Sequence, residues 1–328
     1  MKDSKLPLLA SIVVRSYNRL DACYELLCKL LRQDYPNFEI VVIEQSTVST
    51  PEQTGKLKEL ESQNSNLRIL SYPPLGPPRA RNEGWKNAFG EVVVFCDDDD
   101  IPISDTWLSS HMKNYGDADI IGVSGREVMT IGEQCGYSNR RRAERMCLSY
   151  GFLGYSYVYC RLDKRIDPVD WLHGGNASVR RSFIAAVDGW YENMSDHEEH
   201  SFAFRLQKIL NANQRLVFDP DPVVLRRKNI LGGLDRRTQT PKELYLRWFL
   251  YVHRILVRYR TLKVLGLYPI YVLWLLGLSY FNLWRSYTPG QGSIVRLSWT
   301  SLVILFASPI WYLQGWYSLI HDRKGRSL

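Results

Sequence analysis

Apolar and polar residues follow two alternating patterns over the first part of the chain. Short apolar runs rich in β-branched residues are typical of buried strands. Such runs occur at 8–14, 38–43, 67–72 and 91–96, with a further strand expected at 119–125. The segments between them carry apolar residues at helical spacing. Helices are therefore expected at 20–31, from Thr50-Pro51-Glu52 onward, and at 80–89, closed by Gly90.

Strands that alternate with helices predict an α/β fold with a mostly parallel, Rossmann-like sheet and helices on both faces. We expect this domain to occupy residues 1–240. Ligands of such sheets bind beyond the carboxyl ends of the strands. The loops after Val14, Ile43 and Cys96 are therefore the candidate binding loops.

The pattern changes in the last third of the chain. Residues 266–284 and 297–320 contain no charged residue, and each is about long enough to cross a bilayer as a helix. We expect a transmembrane hairpin and a cytoplasmic tail over 265–328, with a pair of buried core helices as the alternative. Arginines alternate with apolar residues over 241–264, which predicts a helix lying at the membrane interface or packed on the first domain.

Basic residues flank the two apolar segments. They precede the first at Arg254, Arg258, Arg260 and Lys263, and follow the second at Arg323, Lys324 and Arg326, whereas the intervening loop has Arg285 and Arg296. Because basic flanks favour the cytoplasmic side, we expect both ends of the hairpin there. The N-terminal residues have no long apolar core typical of a signal peptide. The first domain is therefore expected in the cytoplasm, attached to a membrane.

Composition narrows the class of protein. Apolar residues make up 45% of the chain and charged residues 23%, which is typical of a folded protein. The six cysteines show no metal-site spacing, so we interpret them as structural thiols in a reducing compartment. The net charge of +8 fits nucleic acid, anionic lipid or a phosphate-bearing substrate. Nucleic acid is not expected as a partner, because most of the basic patch lies beside the apolar segments.

Four consecutive carboxylates, Asp97 to Asp100, directly follow the apolar run 91–96. Their mutual repulsion at a strand end is unfavourable without a cation, and oxygen ligands suit Mg²⁺ or Mn²⁺. An acidic run is more often a solvated surface. Its position beyond a strand favours the metal site.

Six segments together resemble the family 2 glycosyltransferases of the GT-A fold. They are SIVVRSYNR (11–19), FEIVVIEQS (38–46), ARNEG (80–84), GEVVVFCDDDDIP (90–102), HGGNASVRR (173–181) and EEHSFAFRL (198–206). The resemblance covers about residues 8–228 in the family's order. It implies a nucleotide-sugar donor and a GT-A catalytic domain.

The resemblance also implies roles at the donor side. Asp97 and Asp99 of the DXD motif would hold the metal, and Asp98 would contact the sugar or ribose. Arg81 would meet the base or a phosphate. Tyr17 would stack on the base, although a core tyrosine is an equal alternative.

Three positions depart from the family pattern. Glu44 stands where an acidic pair is usual, and it can still accept a hydrogen bond from a base. Arg15 replaces a small residue beside the nucleotide and could bind phosphate or narrow the pocket. Glu198-Glu199 replaces the usual Glu-Asp. We expect Glu199 to be the general base and Glu198 to brace the site, with an ion pair to Arg205 as the alternative for either.

The acceptor side is expected at His173, Gly174, Gly175 and Asn176. The glycine pair allows the backbone to approach a ligand, and Asn176 offers a polar contact; a plain tight turn is the competing interpretation. The Gln of the processive Q-x-x-R-W element is replaced by Leu244 ahead of Arg247-Trp248. Single sugar addition is therefore expected.

The sequence thus predicts a metal-dependent, inverting glycosyltransferase with a lipid-linked or membrane-proximal acceptor, in glycan or glycolipid synthesis. A nucleotidyltransferase is one alternative, but it needs a glycine-rich, lysine-bearing phosphate loop, which RSYNR (15–19) does not offer. An inactive membrane scaffold with the same fold is the other. The intact acidic run and Glu198-Glu199 argue against a scaffold.

Overall fold

The computed structural model describes residues 7–150, 156–192 and 198–227 of the chain. The segments expected at the membrane, 241–264 and 265–328, and the domain end at residue 240 lie outside the described residues. None of the helices in the described ranges combines the length and apolar character required to cross a membrane.

The described strands and helices alternate along the first half of the chain. The strands are β1 (Ala10–Ser16), β2 (Phe38–Glu44), β3 (Leu67–Ser71), β4 (Val92–Asp97), β5 (Asp100–Pro102), β6 (Ile120–Val128), β7 (Ser149–Tyr150), β8 (Ser156–Tyr157), β9 (Ile166–Val169), β10 (Asn176–Arg180) and β11 (Arg215–Arg226). The helices are α1 (Leu20–Leu30), α2 (Pro51–Gln63), α3 (Pro77–Lys86), α4 (Trp107–Met112), α5 (Arg140–Arg145), α6 (Arg181–Ala186) and α7 (Glu198–Ile209), with a 3-10 helix at Lys113–Gly116.

The central sheet has the order β3-β2-β1-β4-β10-β6-β11-β5, and β9 pairs with β11. The four strands from β3 to β4 are parallel. Beyond them β10 runs antiparallel to both β4 and β6, and β11 runs antiparallel to β5 and β9. The expected mostly parallel sheet is thus correct for the first four strands and wrong for the rest, where the sheet is mixed.

The predicted helices on both faces of the sheet are confirmed. Alternate residues of β1 point to opposite faces, so Ile12 packs with α1 and α4 while Val13 packs with α3 and α7. Both layers pack mainly apolar residues against the strands, which explains the apolar runs of β1, β2 and β4.

The residues at the starts of α2 and α3 explain where these two helices begin. Thr50 caps α2 by accepting from the Gln53 amide, and the Gln53 side chain accepts from the Thr50 amide, so the predicted capping hydroxyl is confirmed. Helix α3 begins at Pro77, three residues before the predicted start, because Gly76 has a positive φ of 79° and the prolines suit the first turn. It ends at Lys86, before the predicted stop at Gly90.

Candidate active site

Pairing register brings the end of β1 beside the acidic run. Arg15 is the direct neighbour of Asp97 on the parallel strand β4, and Ser16 neighbours Glu44 on β2. The carboxyl ends of three parallel strands therefore meet at one edge of the sheet. This is the edge at which α/β sheets bind ligands.

Asp97 lies buried between two guanidinium groups. Arg15 donates from Nε to Asp97 Oδ1 at 2.8 Å and from Nη2 to Oδ2 at 2.7 Å, and Arg81 Nη2 lies 3.4 Å from Oδ1. Burial alone would raise the pKa of Asp97, but Arg15 and Arg81 outweigh it and hold the pKa well below its usual range. Asp97 is therefore ionised.

Arg19 bridges the next two carboxylates. Its Nη1 lies 2.9 Å from Asp98 Oδ1 and 3.1 Å from Asp99 Oδ2. Burial raises the pKa of Asp98 to about 6, against the opposing effect of Arg19. Asp99 is the more accessible of the pair, with 27% of its side chain exposed. Asp98 lies inside, so its expected contact with the sugar or ribose requires a local movement.

Asp100 is fully buried and binds Arg226 from β11 through both oxygens, at 3.0 and 2.8 Å. Burial raises the pKa of Asp100 to about 7 despite that arginine. Carboxylate oxygens of Asp97, Asp99 and Asp100 lie within 4.8 Å of one another. A Cβ on Gly175 would collide with Asp100, so any larger residue there would force the side chains of this cluster to shift.

Arg81 connects the acidic run to helix α7. Its side chain is 2% exposed, and Nη1 donates to Glu198 Oε1 at 2.5 Å, while Nη2 lies 3.7 Å from Glu199 Oε1. This burial does not fit the expected direct contact of Arg81 with the donor. The guanidinium instead holds Asp97 and α7 together from inside.

The two glutamates at the start of α7 differ in exposure. Glu198 is buried against Arg81, and burial, followed by the neighbouring Glu199, raises the pKa of Glu198. Glu199 is 24% exposed on its side chain. A Cβ on Gly174 would lie 2.6 Å from Glu199 Oε1 and 2.7 Å from Arg81 Nη2, so this loop packs directly on the glutamate.

His173 precedes the glycine pair in the chain and lies near Glu127 of β6. Its Nε2 is 3.7 Å from Glu127 Oε2, which is also 3.2 Å from Arg226 Nε. Burial and then Arg226 lower the pKa of His173, which favours a neutral imidazole. The sulfur of Cys160 lies within 4.8 Å of the ligand atoms of Glu127 and His173.

Asn176 was expected to contact the acceptor, and the structure contradicts this. Its side chain is fully buried: Nδ2 donates to the carbonyls of Arg126 and Pro222, and Oδ1 accepts from Trp107 Nε1 and His111 Nε2 at 2.9 and 3.0 Å. Every hydrogen-bonding position of the amide is used inside the protein. Asn176 therefore fixes the loop and does not face a ligand.

The loop between β1 and α1 carries Tyr17, which was expected to stack on the nucleotide base. Tyr17 is half-buried there, and its stacking role stays a prediction. Asn18 has a positive φ of 53°, and its Oδ1 accepts from the amides of Thr47 and Val48. Glu44 Oε1 accepts from the Ser46 amide at 2.5 Å. The two bonds of Asn18 tie the loop after β1 to the loop after β2.

Sequence reasoning assigned no role to Arg19, Glu127 or Arg226, and it placed Asp100 in the acidic run without naming it as a ligand of the metal. Arg226 lies 126 residues after Asp100 in the chain, so no short sequence motif contains both residues. The one available signal is an arginine pair at the end of the apolar segment VVLRR (223–227). The assembled site can hold a cation, bind phosphate groups through arginines and accept a proton at Glu199.

Comparison with protein families matches residues 11–187 of the chain to "Glycosyl transferase family 2". The matched range runs from β1 to the end of α6 and includes Arg15, Asp97 and Gly175 of the site. It thus covers more than half of the 328 residues.

Curated relatives match shorter stretches. Poly(ribitol-phosphate) beta-N-acetylglucosaminyltransferase TarS of Staphylococcus aureus is 32% identical over 128 residues, which is 36% of this chain and 22% of the relative. UDP-Glc:alpha-D-GlcNAc-diphosphoundecaprenol beta-1,3-glucosyltransferase WfgD of Escherichia coli is 30% identical over 122 residues, 34% of this chain and 47% of the relative. The matches span 15% to 22% of the length of the first three relatives.

Two solved structures are similar in fold. Mannosyltransferase PcManGT from Pyrobaculum calidifontis, in complex with GDP-Man and Mn²⁺, has a TM-score of 0.50 at 17% identity, covering 97% of this chain and 76% of that one. TarS 1-349 of S. aureus, in complex with UDP-GlcNAc, has a TM-score of 0.50 at 21% identity, covering 76% of this chain and 67% of that one. At these identities the likeness concerns the fold alone, which is a mixed α/β fold of the GT-A kind.

Proposed function

Because the chain belongs to glycosyl transferase family 2, we propose that it transfers a sugar from a nucleotide-sugar donor to an acceptor hydroxyl. The observation that carries the proposal is the assembly of three carboxylates, Glu199 and several arginines at one edge of the sheet. PcManGT was solved with GDP-Man and TarS with UDP-GlcNAc, which supports a nucleotide-sugar donor.

We propose that Mg²⁺ or Mn²⁺ is required. Asp97, Asp99 and Asp100 fit such an ion, because their oxygens lie within 4.8 Å of one another and carboxylates are the ligands of hard cations. The glycine at position 175 leaves room beside them. When bound, the cation would offset the negative charge that develops on the leaving diphosphate. PcManGT was solved with Mn²⁺.

The chain's own residues supply the remaining chemistry. The acceptor oxygen attacks the anomeric carbon while the bond from that carbon to the phosphate oxygen breaks. Glu199 takes the acceptor proton, since its carboxylate is partly exposed and lies against Gly174. Arg15 stabilises the departing diphosphate. One carboxylate acting as a base, without a nucleophile on the opposite face, gives inversion.

The acceptor is proposed to be lipid-linked or membrane-proximal. The apolar segments at 266–284 and 297–320 support attachment to a membrane, with the catalytic domain on the cytoplasmic side. WfgD, whose name specifies a diphosphoundecaprenol-linked acceptor, offers a precedent among the relatives. His173 and the glycine pair would face this acceptor.

Isothermal titration of the purified full chain tests the proposal at the binding step. We expect saturable binding of UDP-, GDP- or dTDP-sugars in Mn²⁺ or Mg²⁺ buffer, with selectivity for one base, and loss of binding with excess chelator. Absence of binding by every nucleotide sugar would contradict the proposal.

Two further outcomes identify the alternatives. Synthesis of a nucleotide sugar and pyrophosphate from a nucleoside triphosphate and a sugar phosphate would instead indicate a nucleotidyltransferase. Donor binding with neither hydrolysis nor transfer, in the presence of metal and lipid-linked acceptors, would indicate a scaffold.

A further inference from the structure

Arg15 and Asp97 are joined by a two-pronged ion pair at the centre of the site. The residues face each other in register on neighbouring parallel strands, and the guanidinium donates to both carboxylate oxygens at 2.8 and 2.7 Å. Such planar pairs are among the stronger hydrogen-bonded contacts in proteins. Any cation that uses the oxygens of Asp97 must therefore compete with Arg15.

The other arginines of the site are less able to yield. Arg81 is 2% exposed and also holds Glu198. Arg226 has the same exposed fraction as Arg15, 29% of its side chain, but it contacts both the buried Asp100 and Glu127. Arg15 has 29% of its side chain exposed. It therefore has solvent-accessible space into which it can turn.

We propose that Arg15 exchanges partners when the donor binds. Its guanidinium releases Asp97 to the divalent cation and then binds the diphosphate of the nucleotide. The inference rests on the proposed function, in which Asp97 is a ligand of the cation. It adds a specific role for Arg15, as the residue that couples cation binding to nucleotide binding.

Electrostatics gives the reason for the coupling. A dication and a guanidinium repel each other at contact distance, so the cation alone binds at the expense of the Arg15 ion pair. A diphosphate provides Arg15 with a new anionic, bidentate partner. The cation and the nucleotide therefore bind cooperatively, and each strengthens the other by the same factor.

Paramagnetic resonance of free Mn²⁺ measures this coupling without turnover. The purified full chain is titrated with Mn²⁺ alone and with Mn²⁺ plus UDP or GDP, after correction for Mn²⁺ bound by the nucleotide in buffer. For the parent chain we expect the nucleotide to tighten Mn²⁺ binding about tenfold or more. UMP, which lacks the second phosphate, should have a smaller effect.

The variants make the role of Arg15 specific. Arg15→Gln should bind Mn²⁺ alone about tenfold more tightly than the parent and lose most of the nucleotide effect. Arg15→Lys keeps the positive charge but lacks the planar guanidinium that donates to two oxygens. Its Mn²⁺ affinity and its nucleotide effect should lie between those of the parent and those of Arg15→Gln. Arg32→Gln removes an equal charge from an exposed ion pair with Asp105 and should behave as the parent.

The result that overturns the inference is an Arg15→Gln chain with the parent's weak Mn²⁺ binding and an undiminished nucleotide effect; the proposed function would then stand. If Asp97→Ala binds Mn²⁺ as the parent does in every condition, the metal site and this inference both fail. Circular dichroism checks the fold of each variant. If the Arg15→Gln chain does not fold, Arg15→Lys is measured in its place. Its nucleotide effect on Mn²⁺ binding should be smaller than that of the parent, and an equal effect would overturn the inference.

Discussion

At the scale of single residues, the site is governed by which carboxylates an arginine holds and which remain accessible. Glu198 is fixed by Arg81 in the interior, whereas Glu199, one residue later, is partly exposed. Removing one partner of a buried ion pair typically costs about 3–5 kcal/mol of folding stability. Glu198 therefore has the larger structural role, whereas Glu199 lies farther from Arg81, at 3.7 Å, and keeps 24% of its side chain exposed.

The first prediction separates the two glutamates. Glu199→Gln keeps the shape of the side chain but removes its basicity, so turnover should fall roughly a hundredfold or more while donor affinity is kept. Steady-state kinetics and donor titration measure the two effects. Glu59→Gln, on the exposed side of α2, is the matched control.

The result that would contradict this prediction is one that assigns the general base to another carboxylate. If Glu199→Gln transfers at nearly the parent rate while Glu198→Gln or Asp196→Asn does not, the base is a different carboxylate. Asp196 itself lies outside the described residues.

A second prediction concerns the room beside the acidic cluster. In Gly175→Ala the new Cβ meets Asp100, Arg226 and Asp97, so the ion pairs must shift and activity should fall roughly a hundredfold. Overpacking should also cost about 1–3 kcal/mol of stability. Gly55→Ala is the control, since nothing lies within 4 Å of its Cβ. Full activity in Gly175→Ala would show that this spacing does not matter.

At the scale of elements, a chain of polar contacts between α4 and β10 fixes the loop at residues 173–176. Because Asn176 Nδ2 donates to two carbonyls, its Oδ1 must accept from His111 Nε2. His111 Nδ1 then accepts from the Ser178 hydroxyl, which itself accepts from Tyr115. Burial lowers the pKa of His111 to about 4. A neutral imidazole therefore belongs to the folded state.

This arrangement predicts a pH dependence of stability. The unfolded chain binds a proton at His111 below its ordinary pKa of 6.5, but the folded chain does so only near pH 4. The contribution of His111 to stability should consequently fall by about 2 kcal/mol as pH falls from 7 to 5, whereas the raised pKa values of Asp98 and Asp100 act in the opposite sense. Denaturant unfolding from pH 4 to 7 measures it. The stability of the parent minus that of His111→Gln isolates the His111 contribution and should fall by that amount from pH 7 to pH 5; a difference that does not change with pH would contradict the assignment.

The strands of the sheet differ in how well they could be predicted from the sequence. The apolar runs predicted the strands from β1 to β4 and the acidic loop, because burial on both faces leaves a continuous signal. The antiparallel partner β10 was missed, since NASVR (176–180) is short and half polar. For the same reason Asn176 was assigned to a ligand: a polar residue after glycines gives no sign that four partners distant in sequence satisfy it.

At the scale of the whole molecule, a family 2 glycosyltransferase domain is followed in the sequence by the two apolar segments at 266–284 and 297–320. The basic residues at 254–263 and 323–326 predict that both ends of this apolar hairpin lie on the cytoplasmic side. A cysteine placed at Gly290, between the segments, should then react with a membrane-impermeant thiol reagent in intact cells. Labelling that begins only after permeabilisation would contradict the hairpin.

The most direct measurement of the central claim is the release of nucleoside diphosphate from UDP-, GDP- and dTDP-sugars by the purified full chain. We expect release from one donor, complete loss of release with excess chelator, and loss of release in Asp99→Ala without a change in fold. Undiminished release with chelator, or an Asp99→Ala chain as active as the parent, would contradict this claim.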